Sequence, residues 1–144
     1  MKYSHKLSDA IHILAYIDIY ADADLSSKAI AASVESNPSV VRSLSSDLRK
    51  AGLIKSRQGV ASPELAKAPD DISIYDVFMA INADHMLLHI DPKTNPKCIV
   101  GGNIQAVLAK AYQQVEDKAF AEMKTITLAK IIGQIKELQS AKEE

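Results

Sequence analysis

The segment from residue 34 to residue 54 narrows the possible folds more than any other part of this 144-residue chain. Asn37 is a good helix N-cap, because its side-chain oxygen can accept an orphan amide hydrogen. Pro38 suits the first helical position, where its missing N–H costs nothing. The helix they start buries Val41, Leu44, Leu48 and Ala51, and Gly52 can end it in the left-handed conformation. Upstream, Ser26 or Ser27 can cap a short helix that buries Ile30, Ala31 and Val34, and Val34-Glu35-Ser36-Asn37 interrupts the pattern between the two. Two helices joined by so tight a turn form a helix-turn-helix.

The flanking segments extend this unit. Leu7, Ala10, Ile11, Leu14 and Ile17 recur at three- and four-residue steps and give a first helix one apolar face. After Gly52 come a strand-like run, Leu53-Ile54-Lys55-Ser56, a turn around Gln58-Gly59 and a second extended stretch near Glu64-Leu65-Ala66. The pattern describes a winged helix-turn-helix; a three-helix bundle with a structural hairpin is the alternative. Ser73 then caps a helix with Ile74, Val77, Phe78 and Ile81 on one face, and a loop covers about 90–101. A long helix, roughly 103–124, carries Ile104, Val107, Leu108, Ala111, Val115, Ala119 and Met123. Thr125 or Thr127 starts another that buries Leu128, Ile131, Ile132, Ile135 and Leu138. The long stripe exceeds what one small core can cover, so it suits a dimer seam, with packing inside one chain as the alternative.

Composition excludes several classes. With 47% apolar and 24% charged residues, wholesale disorder does not fit, and five Gly and five Pro are too few for a turn-rich β-sandwich. Uncharged stretches are too short to span a bilayer, and Asp9 and Asp18 interrupt any signal-peptide pattern. A single cysteine rules out an internal disulfide. The expectation is a cytoplasmic, mainly α protein. The net charge of −1 hides an uneven distribution. Between residues 37 and 58, Arg42, Arg49, Lys50, Lys55 and Arg57 are opposed only by Asp47. From 64 to 91 the sign reverses, with Glu64, Asp70, Asp71, Asp76, Asp84 and Asp91 against Lys67. Such a local basic stripe can contact phosphates on an otherwise acidic protein.

Asn37-Pro38-Ser39-Val40-Val41-Arg42, Leu48-Arg49-Lys50-Ala51-Gly52-Leu53-Ile54, Gly59, Leu65-Ala66-Lys67, Pro69, Ile72-Ser73-Ile74-Tyr75-Asp76-Val77 and Cys98-Ile99-Val100-Gly101 together resemble the Rrf2 family of bacterial transcription regulators. The resemblance covers nearly the whole chain. It implies a homodimeric winged-helix regulator, a repressor, that binds a double-stranded DNA operator with two recognition helices. Two departures stand out. The family's Gly-Gly-Tyr wing tip is replaced by Val60-Ala61-Ser62-Pro63-Glu64, where Pro63 deprives the wing of a ladder hydrogen bond and Glu64 repels phosphate. Iron–sulfur members use three cysteines around the loop that here holds only Cys98. The chain is therefore more similar to the single-cysteine, YwnA-like branch, with no iron–sulfur cluster and no other cofactor expected.

On a helix starting at Pro38, the outward side chains are Ser39, Val40, Arg42, Ser43 and Ser46. Arg42 suits a bidentate contact to guanine, and Ser39 and Ser43 can serve a base edge or a phosphate. Arg49, Lys50, Lys55 and Arg57, with Tyr3, Ser4, Lys6 and Lys28 from the first two helices, are expected to hold the DNA backbone; a solvated surface charge is the alternative for each basic residue. Cys98 is a candidate redox sensor: Lys97 and a helix amino end both favour its thiolate. A buried, inert thiol is the alternative. His85 and His89 would share a helix face, yet a solvated or packed pair is the simpler reading than a metal site, with a ligand pocket nearby as a further route for a signal. No nucleophile elbow, phosphate loop or paired-carboxylate spacing points to an enzyme. The chain thus divides into a DNA-binding unit (1–82), a sensor loop (83–102) and dimerisation helices (103–144). The competing function is a winged-helix interaction or ligand-sensing module without specific DNA binding.

Overall fold

A computed structural model describes residues 4–59 and 62–144. The chain runs through α1 (Lys6–Ile19), α2 (Ser27–Val34), α3 (Pro38–Lys50), β1 (Ile54–Ser56), β2 (Pro63–Leu65), a 3-10 turn (Pro69–Asp71), α4 (Ile74–Ile81), α5 (Ile104–Met123) and α6 (Leu128–Glu143). The expected signals act where the sequence places them. Ser26 rather than Ser27 caps α2, accepting from the Ala29 amide at 3.2 Å, and Asn37 caps α3 through the Val40 amide at 3.0 Å. The turn between them is made by Glu35, a non-glycine residue in the left-handed region (φ 58°), and closes with Ser36 N–H donating to the Ala31 carbonyl. Such a residue is held there only because the surrounding helices fix it.

The end of α3 is a Schellman motif. Gly52 (φ 78°) donates to the Arg49 carbonyl, Leu53 donates to the Leu48 carbonyl, and the buried Leu48 and Leu53 supply the accompanying apolar pair. Ala51, expected in the core, is instead exposed at the helix end, because the reversal at Gly52 begins before its side chain can reach inward.

The hairpin pairs Ile54 with Leu65, Lys55 with Glu64 and Ser56 with Pro63 in antiparallel register. Flanking hydrogen bonds, from Arg57 N–H to the Ser62 carbonyl (2.7 Å) and from Ala66 N–H to the Leu53 carbonyl (2.9 Å), fix which pairs exchange hydrogen bonds. Ser56–Pro63 falls between them, at a pair that exchanges none, so Pro63 removes nothing from the ladder. The expected lost hydrogen bond is therefore corrected.

One core joins α1 to α4 and the hairpin: Ile13, Leu14, Ile17, Ile30, Val41, Leu44, Leu48, Leu53, Ile54, Ile72 and Val77 are all buried in it. Leu128 and Ile132 of α6 belong to the same cluster. Two backbone bonds hold α6 there, from Ile74 N–H to the Ile126 carbonyl (2.9 Å) and from Leu128 N–H to the Ile72 carbonyl (2.7 Å), around a bridge between Ser73 and Thr127. These two residues are also the helix caps: Ser73 forms a capping box with Asp76, and Thr127 accepts from the Lys130 amide. The start of α6 is thus part of the winged-helix core, whereas Ile135 and Leu138, expected to be buried, are exposed, Ile135 lining an open cleft beside α1.

The loop is longer than expected. Regular helix stops at Ile81 and resumes only at Ile104. The stripe on α5 also splits in two. Ile104, Leu108, Ala119 and Met123 are half-buried, while Val107, Ala111 and Val115 face away and are exposed. An edge contact of Phe120 with Tyr75 and a tilted one with Phe78 hold the carboxyl-terminal part of α5 on α4. Among the described residues, no helix is long and apolar enough to cross a membrane.

Candidate nucleic-acid interface

On α3, residues 39, 42, 43, 46, 49 and 50 fall at helical steps of three and four and so share one stripe, opposite Val41, Leu44 and Leu48. Ser39, Arg42, Ser43, Arg49 and Lys50 are exposed along it, with Ser46 half-buried. Rising 1.5 Å per residue, Ser39 and Lys50 stand about 16 Å apart, which suits an element lying along a groove. Ser39 donates its hydroxyl hydrogen to the Asn37 side chain, so it presents an oxygen as acceptor. Among the described residues Arg42 has no ion-pair partner, and its five donors are available to a ligand. Val40 differs from its neighbours: it is half-buried against the core and sits at the margin of the stripe.

The remaining expected contacts lie elsewhere. Ser4 accepts from the Lys6 amide at 3.2 Å and starts α1, with Lys6 exposed beside it; Lys28 is exposed on the first turn of α2. Tyr3 lies outside the described residues, as do Val60 and Ala61 of the wing tip. Lys55 pairs with Glu64 across the hairpin at 3.6 Å. Arg57 points back to the end of α1, donating to the Ala21 carbonyl (3.1 Å) and to Asp22 (3.2 Å).

Cys98 is exposed, which overturns the alternative of a buried thiol. Its pKa is lowered by the backbone N–H groups of Gly101 and Val100, which favour the thiolate. The cause is thus a turn of amides ahead of α5 rather than Lys97 or the helix end itself. Gly101 is required in that turn, since a Cβ there would collide with the Asn95 backbone. His85 and His89 lie in the loop rather than on a helix, which removes the geometry that would have aligned them. His85 adopts φ 56°, and His89 bonds the Asp84 carboxylate at 2.7 Å. That bond, with the Met86 amide, holds the Asp84 carboxyl below its usual range.

Sequence reasoning missed Glu116. It is buried on α5, and its carboxylate accepts from the Leu87 amide (2.6 Å) and the Leu88 amide (3.3 Å), pinning the loop to the helix. A carboxylate on the same helical face as Leu108, Tyr112 and Phe120 was the available signal. An open cleft of about 350 Å³ also lies between α1, α2 and α6, lined by Ile11, Tyr16, Ile131 and Ile135, with His12 bonded to Ser33 at 2.8 Å on its wall.

Comparison with known proteins agrees with this geometry. The family model Rrf2, described as an iron-dependent transcriptional regulator, matches residues 3–134. The chain is 37% identical over 130 residues to YwnA of Bacillus subtilis (strain 168), described as an HTH-type transcriptional regulator, covering 90% of this chain and 96% of that one. A solved structure described as a DNA-binding protein is 36% identical, with a TM-score of 0.72 over 88% of this chain and 98% of its own. The structure of T. potens IscR shares the fold, with a TM-score of 0.70 at 23% identity over 96% of this chain and 91% of its own.

The residues present do not fit the iron that the family description names. Cys98 is the only thiol of the sequence, and the described residues bring no three of His, Cys, Asp or Glu together. An exposed polar and basic stripe on a winged helix-turn-helix, matched by the family model over 132 of the 144 residues, leads to one assignment: this chain belongs to the Rrf2 family of DNA-binding transcriptional regulators, which are not enzymes.

Proposed function

We propose that the protein is a cytoplasmic, homodimeric repressor that reads a duplex operator with α3 of each protomer. The observation that carries this reading is the α3 stripe, with Arg42, free of ion pairs among the described residues, between two serines near its amino end and Arg49 and Lys50 at the other. Short side chains beside a long bidentate donor let the helix approach base edges, while the terminal cations reach the phosphates. Val107 and Val115 support the dimer. They are 61% and 54% exposed on a helix about 30 Å long that buries only Glu116 fully against its own chain.

The test begins with selecting bound fragments from genomic DNA. On the selected operator, Arg42→Ala should weaken binding by about 1–3 kcal/mol and relax one base position. Lys50→Ala should weaken all sequences alike and lower the salt slope by about one. Equal loss of specificity from both would reject the contact assignment, and failure to select any fragment would favour the interaction module.

Cys98 supports a second reading, in which oxidation of the loop thiol releases the operator. Exposure and the amide-stabilised thiolate favour it. Because the pKa is lowered, alkylation of Cys98 should reach half its maximal rate at a lower pH than an ordinary thiol does. Titration with hydrogen peroxide should lower operator affinity, reverse with a dithiol and vanish in Cys98→Ser. If Cys98→Ser titrates like the parent, the signal enters elsewhere.

A further inference from the structure

We infer that Arg57 is a positioning residue that ties the hairpin to the α1–α2 corner, leaving sequence reading in this protein to α3. Its guanidinium donates through Nη1 to the Ala21 carbonyl at 3.1 Å and through Nη2 to Asp22 at 3.2 Å. The anchor sits at a decisive place in the hairpin. The Arg57 amide makes the outermost cross-strand bond among the described residues, to the Ser62 carbonyl, so fixing this residue fixes the outer end of the ladder.

The receiving corner is short of exactly this charge. Helix α1 carries no basic residue in its last turn, and Asp18, Asp22 and Asp24 cluster around its end. A helix carboxyl end presents unsatisfied carbonyls and a negative partial charge, which a cation stabilises. Arg57 supplies from the hairpin the cation that α1 lacks. Its planar fork holds Nη1 on the carbonyl and Nη2 on the carboxylate in one fixed geometry, which the single nitrogen of a lysine ammonium does not reproduce.

The charge balance of the hairpin follows. Its two cations, Lys55 and Arg57, each face a carboxylate, Glu64 at 3.6 Å and Asp22 at 3.2 Å. A wing whose positive charges are already matched gains little from a phosphate, and Glu64 opposes the approach. By contrast, the α3 stripe keeps Arg42, Arg49 and Lys50 without ion-pair partners among the described residues. Arg57 therefore works through the hairpin's position and makes no DNA contact of its own.

This inference rests on the DNA-binding reading for one of its two readouts only. In the full-length protein, Asp22→Ala, Arg57→Ala, the double variant and Arg57→Lys would be compared by hydrogen exchange at the amides of residues 57 and 66 and by operator binding across salt concentrations. Arg57→Ala should speed exchange about threefold, in line with an exposed but two-pronged ion pair. Asp22→Ala should give part of that effect and the double variant no more than Arg57→Ala, with Arg57→Lys failing to restore it. Operator affinity should fall in the same order, with an unchanged salt slope. The inference is overturned if Asp22→Ala tightens binding while Arg57→Ala flattens the slope by about one, the signature of a phosphate contact. Additive effects on exchange would overturn it too. If the parent protein selects no operator, the DNA-binding reading fails by itself, and the exchange pattern alone then decides the role of Arg57.

Discussion

Replacing Val107 and Val115 together by Glu should yield a monomer in sedimentation at micromolar concentration and weaken operator binding by about 10²–10⁴-fold. The loss is the linkage between two half-sites, which converts the second contact into an intramolecular one. Both side chains stand on the outer face of α5 and are more than half exposed in the single chain, so the substitution removes little within the protomer. Helix content should accordingly be retained. Carboxylates placed at the centre of a helix seam must be desolvated without partners, and this cost prevents association. A double variant that sediments at twice the chain mass would place the seam on another face.

The second large effect is expected far from that surface. Ile132→Ala should lower the unfolding free energy by about 2–5 kcal/mol, measured in urea, although residue 132 follows the recognition helix by more than eighty positions. Ile132 is 5% exposed and packs in one cluster with Ile13, Leu14 and Ile17 of α1, so its removal leaves a hole in the core that orients α3. Removing α6 altogether should leave residues 1–82 without a stable fold. If the first 82 residues were an independent unit, Ile132→Ala would produce two transitions, and the DNA-binding half would keep its midpoint.

The place of α6 in the core shows where sequence reasoning stops. The limits of α3 were legible because their causes are local: the Asn37 side chain, the ring of Pro38 and the freedom of Gly52 act within a turn of the chain. Leu128, Ile132, Ile135 and Leu138 carry the same periodic signal, yet only the first two are buried in the core. Which end of a helix finds the core is a property of the whole path. The parity of Pro63 in its ladder likewise depends on the register of a partner strand. Glu116 escaped notice because its partners are backbone amides, which every residue has. For Arg57 the sign of the charge was readable, but Asp22, 35 residues away, was not readable as its partner.

The backbone bridge between Ser73 and Thr127 also has a mechanical meaning. It clamps the chain just past the carboxyl end of α5 onto the winged-helix core, while the opposite end of that helix adjoins the Cys98 turn. Such an arrangement is a rod about 30 Å long, rooted at the DNA-binding end and loaded at its tip, with the Glu116 grip as an intermediate stay. A 1 Å displacement at the tip then corresponds to a swing of about 2° at the root. On the proposed redox reading, chemistry at residue 98 would reach the operator as rotation, and a twofold partner sharing the rod's outer face would double that rotation between the two α3 helices.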